Sequence, residues 1–460
     1  MRRGVEPDTV AERAVRAAGA GEALATVSHE RSLTLRFARS RPTQATSVDD
    51  LTVEVAALRD GHVGRATTNA VDEEALERCA RSAVRAAEAA ARTAGPGDYP
   101  GFPPPAAHRC NEGHDPGTAR LDPLLGGAAL SSAFEVAGEA GAEASGIWTA
   151  GEVQTAIASS VGTLLRDRVT DAFIKVVALG PGGRSGYAAQ TATAAGALDA
   201  AAVAGRAAGK AVVAGAPVEL DPGEYTVVME PDAVHELLWV LASTAFNGLV
   251  HAEGRGALRG LLGTRVAAAA VNISDAPSYA NTLARAFDAE GVAKAPLPLI
   301  QDGVAHRVVH DTRSAALAGA SSTGHALAAG GSAPGPLPTN LVMAEGVAAD
   351  ERELCSGVER GIYVTRLWYT NVVRPAEALF TAVTRDGTFL IEDGRVTSPL
   401  ADLRITDSAL GILARTQALG ARSPLVSDGE LYGRRFATGA VCPALRAGSV
   451  RFTGSASSSA

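Results

Sequence analysis

His235 and Glu236 are the residues of this 460-residue chain whose types and spacing come nearest to catalysis. A His-Glu pair on a helix can supply one zinc ligand and a general base, and a second His about one turn on completes the metal's grip. Here Trp239 stands where an HExxH motif has its second His, and Val240 where the longer HExxxH variant has it. Neither side chain binds zinc. At about 100° per residue, position 239 lies about 40° round from His235 on the same face, whereas position 240 lies about 140° round and needs a bent or ending helix. Two readings stay open from these residues alone: a half-buried His and Glu bordering a metal-free helix, or a zinc site completed from elsewhere. His251, which follows the expected helix end at Asn247-Gly248, and Cys442 are the distant candidates for such completion.

Other chemistries find less support. No Gly-x-Ser-x-Gly elbow falls between a strand and a helix, so a serine hydrolase is not indicated. The Gly-rich run Ala328–Gly335 lacks the Lys of a phosphate-binding P-loop and reads as a flexible loop. His306, His310 and His325 fall in expected loops and read as solvated or structural. The cysteines, Cys79, Cys110, Cys355 and Cys442, are scattered without a CxxC pair, which suits reduced thiols with structural roles in a cytoplasm.

The His-Glu pair is positioned by a strand, Glu224–Met229, running into a helix from 231 to about 246 that opens on Pro231. Val234, Leu237, Leu238, Leu241 and Ala245 recur at the spacing of a buried stripe, with His235 beside it. Before this lies an α+β layer: a helix over 8–20, short strands at 23–30, 32–38 and 51–58, and a helix over 72–91. A Pro/Gly-rich connection over 93–123 reads as a surface segment, and a helix near 122–141 follows. Strands at 146–157, 161–167 and 172–180 and an Ala-rich helix over 197–214 complete the first domain, 1–216. The second, 217–454, reads as β-rich, with short segments at 265–273, 298–301, 339–344, 361–368, 379–384, 388–391 and 449–452. Residues 455–460 read as a flexible tail. A net charge of −8 and a pI near 5.7 leave no basic footprint for nucleic acid, and no apolar run approaches the roughly 20 residues of a membrane span. The N-terminus carries no apolar stretch of the signal-peptide kind. Proteins or peptides are the expected partners.

A series of short motifs then comes into view. It begins at Gly223–Val234 and continues through Gly260-Leu261-Leu262-Gly263, Phe287-Asp288-Ala289-Glu290-Gly291, Leu299–Gly303 and Ser321-Ser322-Thr323-Gly324-His325-Ala326. Pro338-Thr339-Asn340-Leu341, Gly361–Val364, Ile391–Gly394, Pro443–Arg446 and Phe452-Thr453-Gly454 follow. In order and spacing the set resembles the TldD/TldE (PmbA) family of metallopeptidases, and Leu35–Ser40 with Gly64–Asn69 extends the resemblance to the first domain. The resemblance implies a two-domain α+β fold. It also implies a peptidase subunit carrying HExxxH with a Cys near the C-terminus as a further zinc ligand, a partner subunit lacking the motif, and a chamber that degrades or trims unfolded or modified peptides. Against that pattern this chain keeps His235 and Glu236, has Val240 in place of the second His, and has Cys442 closer to its end than the family's zinc Cys. The resemblance therefore points to the pseudopeptidase subunit, with no metal in this chain and zinc in a TldD-like, HExxxH-bearing paralogue. The alternatives are a self-sufficient metallopeptidase with a rearranged site and a homodimeric peptide-binding or maturation factor. Candidate chamber-wall residues are Ser321, Ser322, Thr323, Gly324 and His325, together with Tyr369 and Asn371.

Overall fold

The computed structural model describes residues 6–107, 113–427 and 433–455. Cys110 and the expected tail beyond Ser455 lie outside them. The chain folds as an α+β protein whose sheets are built from β1 (Ala23–Ala38), β2 (Arg41–Arg59), β3 (His62–Thr68), β4 (Glu143–Ser159), β5 (Leu164–Leu179) and β6 (Ser185–Ala192) in its first half. The second half supplies β7 (Gly223–Met229), β8 (Ile273–Asp275), β9 (Leu297–Gln301), β10 (Val304–Ala305), β11 (Asn340–Met343), β12 (Arg360–Arg374) and β13 (Leu379–Glu392). It continues with β14 (Arg395–Pro399), β15 (Leu403–Ser408), β16 (Thr416–Leu419), β17 (Leu425–Val426), β18 (Gly439–Val441) and β19 (Leu445–Ser455).

The first sheet has the order β3-β2-β1-β4-β5-β6, antiparallel throughout. One face is apolar by strand alternation: Ala25, Val27, Val53, Val55 and Ala156 pack beneath α1 (Pro7–Ala17) and α2 (Glu73–Thr93). Trp148, Ile174 and Val176 pack beneath α3 (Pro123–Glu139) and α4 (Ala200–Ala211). Asp72, Asp122 and Asp199 cap α2, α3 and α4 by accepting from backbone N–H groups of their first turns.

The two short strands expected at 23–30 and 32–38 are one, and so are those at 161–167 and 172–180. Polar residues inside these strands, such as Glu30 and Asp171, sit on the sheet's other face, where Arg435 of the second half supplies partners to both. The 93–123 connection is irregular but not wholly superficial. Tyr99 and Phe102 are buried against Leu24, Ile157 and Phe287.

In the second half, β12, β7, β19, β15 and β13 pair in that order, and β13 returns to β12, so the five strands close a barrel. The strands expected at 379–384 and 388–391 are both part of β13, which runs on as one barrel stave. A second sheet has the order β10-β9-β8-β11-β18-β17. The run 265–273 becomes a strand only at Ile273; before it Arg265 forms an isolated bridge to Val304 and a turn follows. The helix after β7 is α5 (Pro231–Thr244), with Pro231 in its first turn and Glu230 at the N-cap. Its stripe of Val234, Leu237, Leu238 and Leu241 is fully buried in the main core with Phe246, Met229 and Phe380. Asn247 ends the run by accepting from Leu249 and Val250 to start α6 (Gly248–Ala252). Then come α7 (Thr312–Ala318), α8 (Glu351–Ser356) and α9 (Ala409–Ala414).

Candidate functional site

On α5, His235 and Glu236 are half-buried beside the apolar stripe, and neither is without a partner. Trp239, one turn on from His235, lies at the surface and is 48% exposed. Val240 is fully buried in the core. Position 240 turns away from His235 and into apolar packing, as the 140° offset requires.

Cys442, distant in sequence, is brought to the same helix. Its Sγ lies 3.5 Å from the carbonyl of Pro231, one turn before His235. Burial and the charge of Asp232 push the thiol's pKa far up, so it packs as a neutral apolar group. His251 sits on α6 with burial lowering its pKa. Among the described residues, no three His, Cys, Asp or Glu side chains converge in a way that holds a metal ion.

The mouth of α5 is tied to the first domain instead. Glu230 receives the ammonium of Lys210 from α4 at 2.6 Å, the hydroxyl of Tyr363 at 2.7 Å and that of Thr365 at 3.2 Å. Tyr187 on β6 donates to Asp232, whose carboxyl is pushed up to about 6 by burial and by the neighbouring Glu230 charge.

A cavity of about 330 Å³ opens between the two domains. Its floor is the helix-free face of the first sheet: Thr26 and Ser28 of β1, Glu54 of β2, Thr155 and Ile157 of β4, and Asp167 of β5. Its roof is formed by residues of the loops at 285–294, 324–329 and 434–436. Two apolar clusters flank it and close the domains together. One joins Leu24, Ala56, Ile157 and Leu165 to Ala286, Phe287 and Ala329; the other joins Val169 to Leu283, Val342, Leu425 and Val441. Beside it Arg435 drives into the sheet face over Gly151 and grips Asp171.

Behind the roof lies a buried charged cluster. Asp275 accepts from the N–H of Asn340 at 2.8 Å and meets Lys294 at 3.0 Å and His325 at 3.1 Å, all three side chains at most 1% exposed. Burial works against its charge, but Lys294 and His325 hold the Asp275 carboxyl well below the usual carboxylate range. Burial and then Lys294 lower the imidazole's pKa. Asp288 accepts from three backbone N–H groups, those of Glu290, Val292 and Ala326. Glu290 accepts from Gly331 and Thr312, and burial with the Asp288 charge raises its pKa.

Of the residues singled out in sequence, Gly324 and His325 line the cavity. Gly324 has φ +77°, and a Cβ there would fall 2.8 Å from the carbonyl of Ala293, so only glycine turns the chain at this point. Thr323 bonds His325 Nδ1 and Ser322 the carbonyl of His310, while Ser321 is exposed. Tyr369 and Asn371 lie elsewhere, at a bulge of β12 where Tyr369 is 72% exposed in the left-handed region. His310 is buried, with Ser314 Oγ 3.2 Å from its Nδ1, which is the structural of the two readings given to it. Sequence reasoning missed Glu54 and Arg285. The signal for Glu54 was present in its strand, a carboxylate flanked by Val53 and Val55 on the opposite face.

The chain is a two-domain α+β fold with a closed barrel, an interdomain cavity and a helix that carries a His-Glu pair. The profile of the PmbA/TldA metallopeptidase C-terminal domain matches residues 222–454, and that of PmbA/TldA metallopeptidase domain 1 matches residues 25–87. The chain belongs to the PmbA/TldD family. A "Metalloprotease" of Methanothermobacter thermautotrophicus is 24% identical over 198 residues, a match that spans 43% of each chain. TldE of Thermococcus kodakarensis shares the fold with a TM-score of 0.84 at 18% identity, over 97% of this chain and all of that one. A Thermotoga maritima protein proposed to modulate a DNA gyrase gives 0.83 at 20% identity, again over 97% and 100%. Its counterpart from Bacteroides thetaiotaomicron gives 0.77 at 20% identity, over 97% and 98%.

Proposed function

We propose that this chain is the non-catalytic, TldE-type subunit of a zinc peptidase complex that degrades or trims unfolded or modified peptides in the cytoplasm. Val240 carries the reading. The position that an HExxxH motif reserves for its second zinc ligand is an aliphatic side chain buried in the main core. The zinc and the general base are supplied by an HExxxH-bearing paralogue, whose metal-bound water attacks the peptide carbonyl. This chain forms the other wall of the chamber.

The test is reconstitution. The chain alone is expected to hold no stoichiometric zinc and to cleave no peptide, and the mixture with the paralogue to co-purify and cleave. One zinc per chain in the isolated protein, lost in His235→Ala, would overturn the reading in favour of a rearranged metal site completed by a distant ligand. Unchanged cleavage without the paralogue would do the same, and a stable homodimer that ignores the paralogue would favour a homodimeric binding factor.

A further inference from the structure

Two apolar points stand out of the second domain, and they sit among charges of opposite sign. Val347 is 93% exposed, more than any other large apolar side chain among the described residues. Its neighbours are pinned on both sides. The N–H groups of Gly346 and Ala348 donate to the carbonyls of Gly420 and Leu419, and that of Ala421 donates back to Ala348, so the valine projects as a fixed knob. On its segment and the residue next to it, four carboxylates, Glu345, Asp350, Glu351 and Glu353, face two cations, Arg352 and Arg422. The second point is the turn Gly260-Leu261-Leu262-Gly263, where the two leucines lie side by side at 38% and 39% exposure. The Gly263 N–H donates to Ala305 and that of Thr264 to Leu261, which holds the turn as a shelf. Residues 263–265 run beside 303–305, and this brings in Arg307 with His306 alongside. Here the balance is reversed: four arginines, Arg255, Arg259, Arg265 and Arg307, stand against two carboxylates, Glu253 and Asp302.

Knob and shelf are neighbours on one surface. Arg265 Nη1 donates to the carbonyl of Asp302 at 2.8 Å, the Asp302 N–H to Asn272 Oδ1 at 2.8 Å, and the N–H of Ala344, next to Glu345, to the carbonyl of Asn272 at 2.9 Å. A face with a basic apolar half beside an acidic apolar half is self-complementary. A two-fold rotation sets knob on shelf and shelf on knob, so one contact forms twice. We propose that this face joins two copies of the chain, with Val347 of each seated against Leu261 and Leu262 of the other and the arginines facing the carboxylates. Burial of the three apolar side chains supplies attraction, and the charges fix the orientation. An anionic lipid surface fits less well, because the acidic half would be repelled by it. An unlike protein would have to carry both signs in the matching order, which a second copy does by symmetry. The contact is inferred from this chain's own surface, so it stands or falls separately from the reading as a peptidase subunit.

The test is sedimentation velocity of the purified full chain, without any paralogue, from about 1 to about 100 μM, where a small interface dissociates. A reversible monomer–dimer equilibrium is expected, and it weakens as salt rises from about 50 to about 500 mM. Val347→Ser is expected to weaken the dimer about tenfold or more, since apolar burial is lost twice per dimer. With so exposed a side chain, the substitution leaves the fold intact. Charge reversal gives a signature that general stickiness would not. Arg259→Glu with Arg307→Glu turns the shelf negative, and Glu345→Arg with Glu351→Arg turns the knob positive. Each double variant alone is expected to be monomeric, and an equimolar mixture of the two to dimerise; thermal melts distinguish lost contact from lost folding. A chain that stays monomeric throughout, a dimer unmoved by Val347→Ser and by both reversals, a mixture that stays monomeric, or growth beyond the dimer would overturn the proposal. So would a monomer that sediments with phosphatidylglycerol vesicles or pairs only with the paralogue, which would give the face to that occupant. Because no cleavage is measured, a failure here leaves the peptidase-subunit reading standing, and failed peptide cleavage on reconstitution leaves this contact standing.

Discussion

Arg435 lies bidentate on Asp171, Nε to Oδ1 and Nη2 to Oδ2 at 2.7 Å each, across 264 residues of chain. A third contact, Nη1 to Thr149 at 2.9 Å, and the Arg435 N–H donating to Glu30 complete the docking of one domain on the other. Both charges are almost dry, with side chains 2% and 8% exposed. Arg435→Met strands a buried carboxylate and is expected to cost about 3–5 kcal/mol in denaturant unfolding, part of it recovered by adding Asp171→Asn. Gly151→Ala is expected to cost about 1–3 kcal/mol, because its Cβ would sit 2.5 Å from Arg435 Nε. Unfolding midpoints for either variant equal to that of the parent would show that this contact is idle.

The missing ligand can be offered back in two places, and the helix distinguishes them. Trp239→His puts an imidazole on the exposed surface one turn from His235, where two ring nitrogens can meet one metal. Val240→His puts it in the core, at a cost of about 2–4 kcal/mol and out of reach of His235. Competition with a chromogenic chelator is expected to detect zinc uptake by the first variant alone. Uptake by the second would mean that α5 bends in solution.

Glu290 carries a pH signature. Its folded pKa is raised above the ordinary 4.5 by burial and by Asp288, so the folded state holds its proton more tightly than the unfolded chain. The stability it contributes is complete below about pH 4.5 and is lost as pH rises toward and through neutrality. Glu290→Gln cannot ionise. Its urea midpoint is expected to fall less between pH 5 and pH 8 than that of the parent, whatever constant offset comes from setting an amide against the Gly331 and Thr312 N–H groups. Parallel profiles would remove Glu290 from the titration.

Lys210 and Glu230 join α4 to the mouth of α5 with both side chains about 15% exposed or less. Lys210→Met leaves Glu230 with two hydroxyl donors and no cation, and is expected to cost on the order of 2–3 kcal/mol. Lys210→Arg is expected to recover part of that. Loss of stability without recovery would assign the effect to the packing of the lysine stem.

The strand and helix carrying His235 were legible because both signals are local: the apolar run 224–229, Pro231, and a stripe repeating at helical spacing. The cavity was not. Its lining comes from widely separated segments of both domains, each ordinary by itself, and only the folded register of β1, β2, β4 and β5 sets Thr26, Glu54, Thr155 and Asp167 on one surface. His325 was visible as one residue of a loop motif, but its partners Asp275 and Lys294 were not, since they reach it from other loops. The length of β1 and β5 was underestimated for a related reason. Polar residues inside them, Glu30 and Asp171, find their partners only in Arg435 of the opposite domain.

The barrel strand β19 lies between β7 and β15, so a stave made more than 200 residues earlier waits for one from the far end of the chain. Until β19 arrives, β7 and β15 present open edges, and apolar residues such as Val227 and Ile405 are without their final cover. Assembly of the second domain therefore cannot advance step by step behind the ribosome in the way the first sheet can. It is an all-or-none closure, and a chain stalled or clipped before residue 445 exposes the sticky edges of an unfinished cylinder to its neighbours.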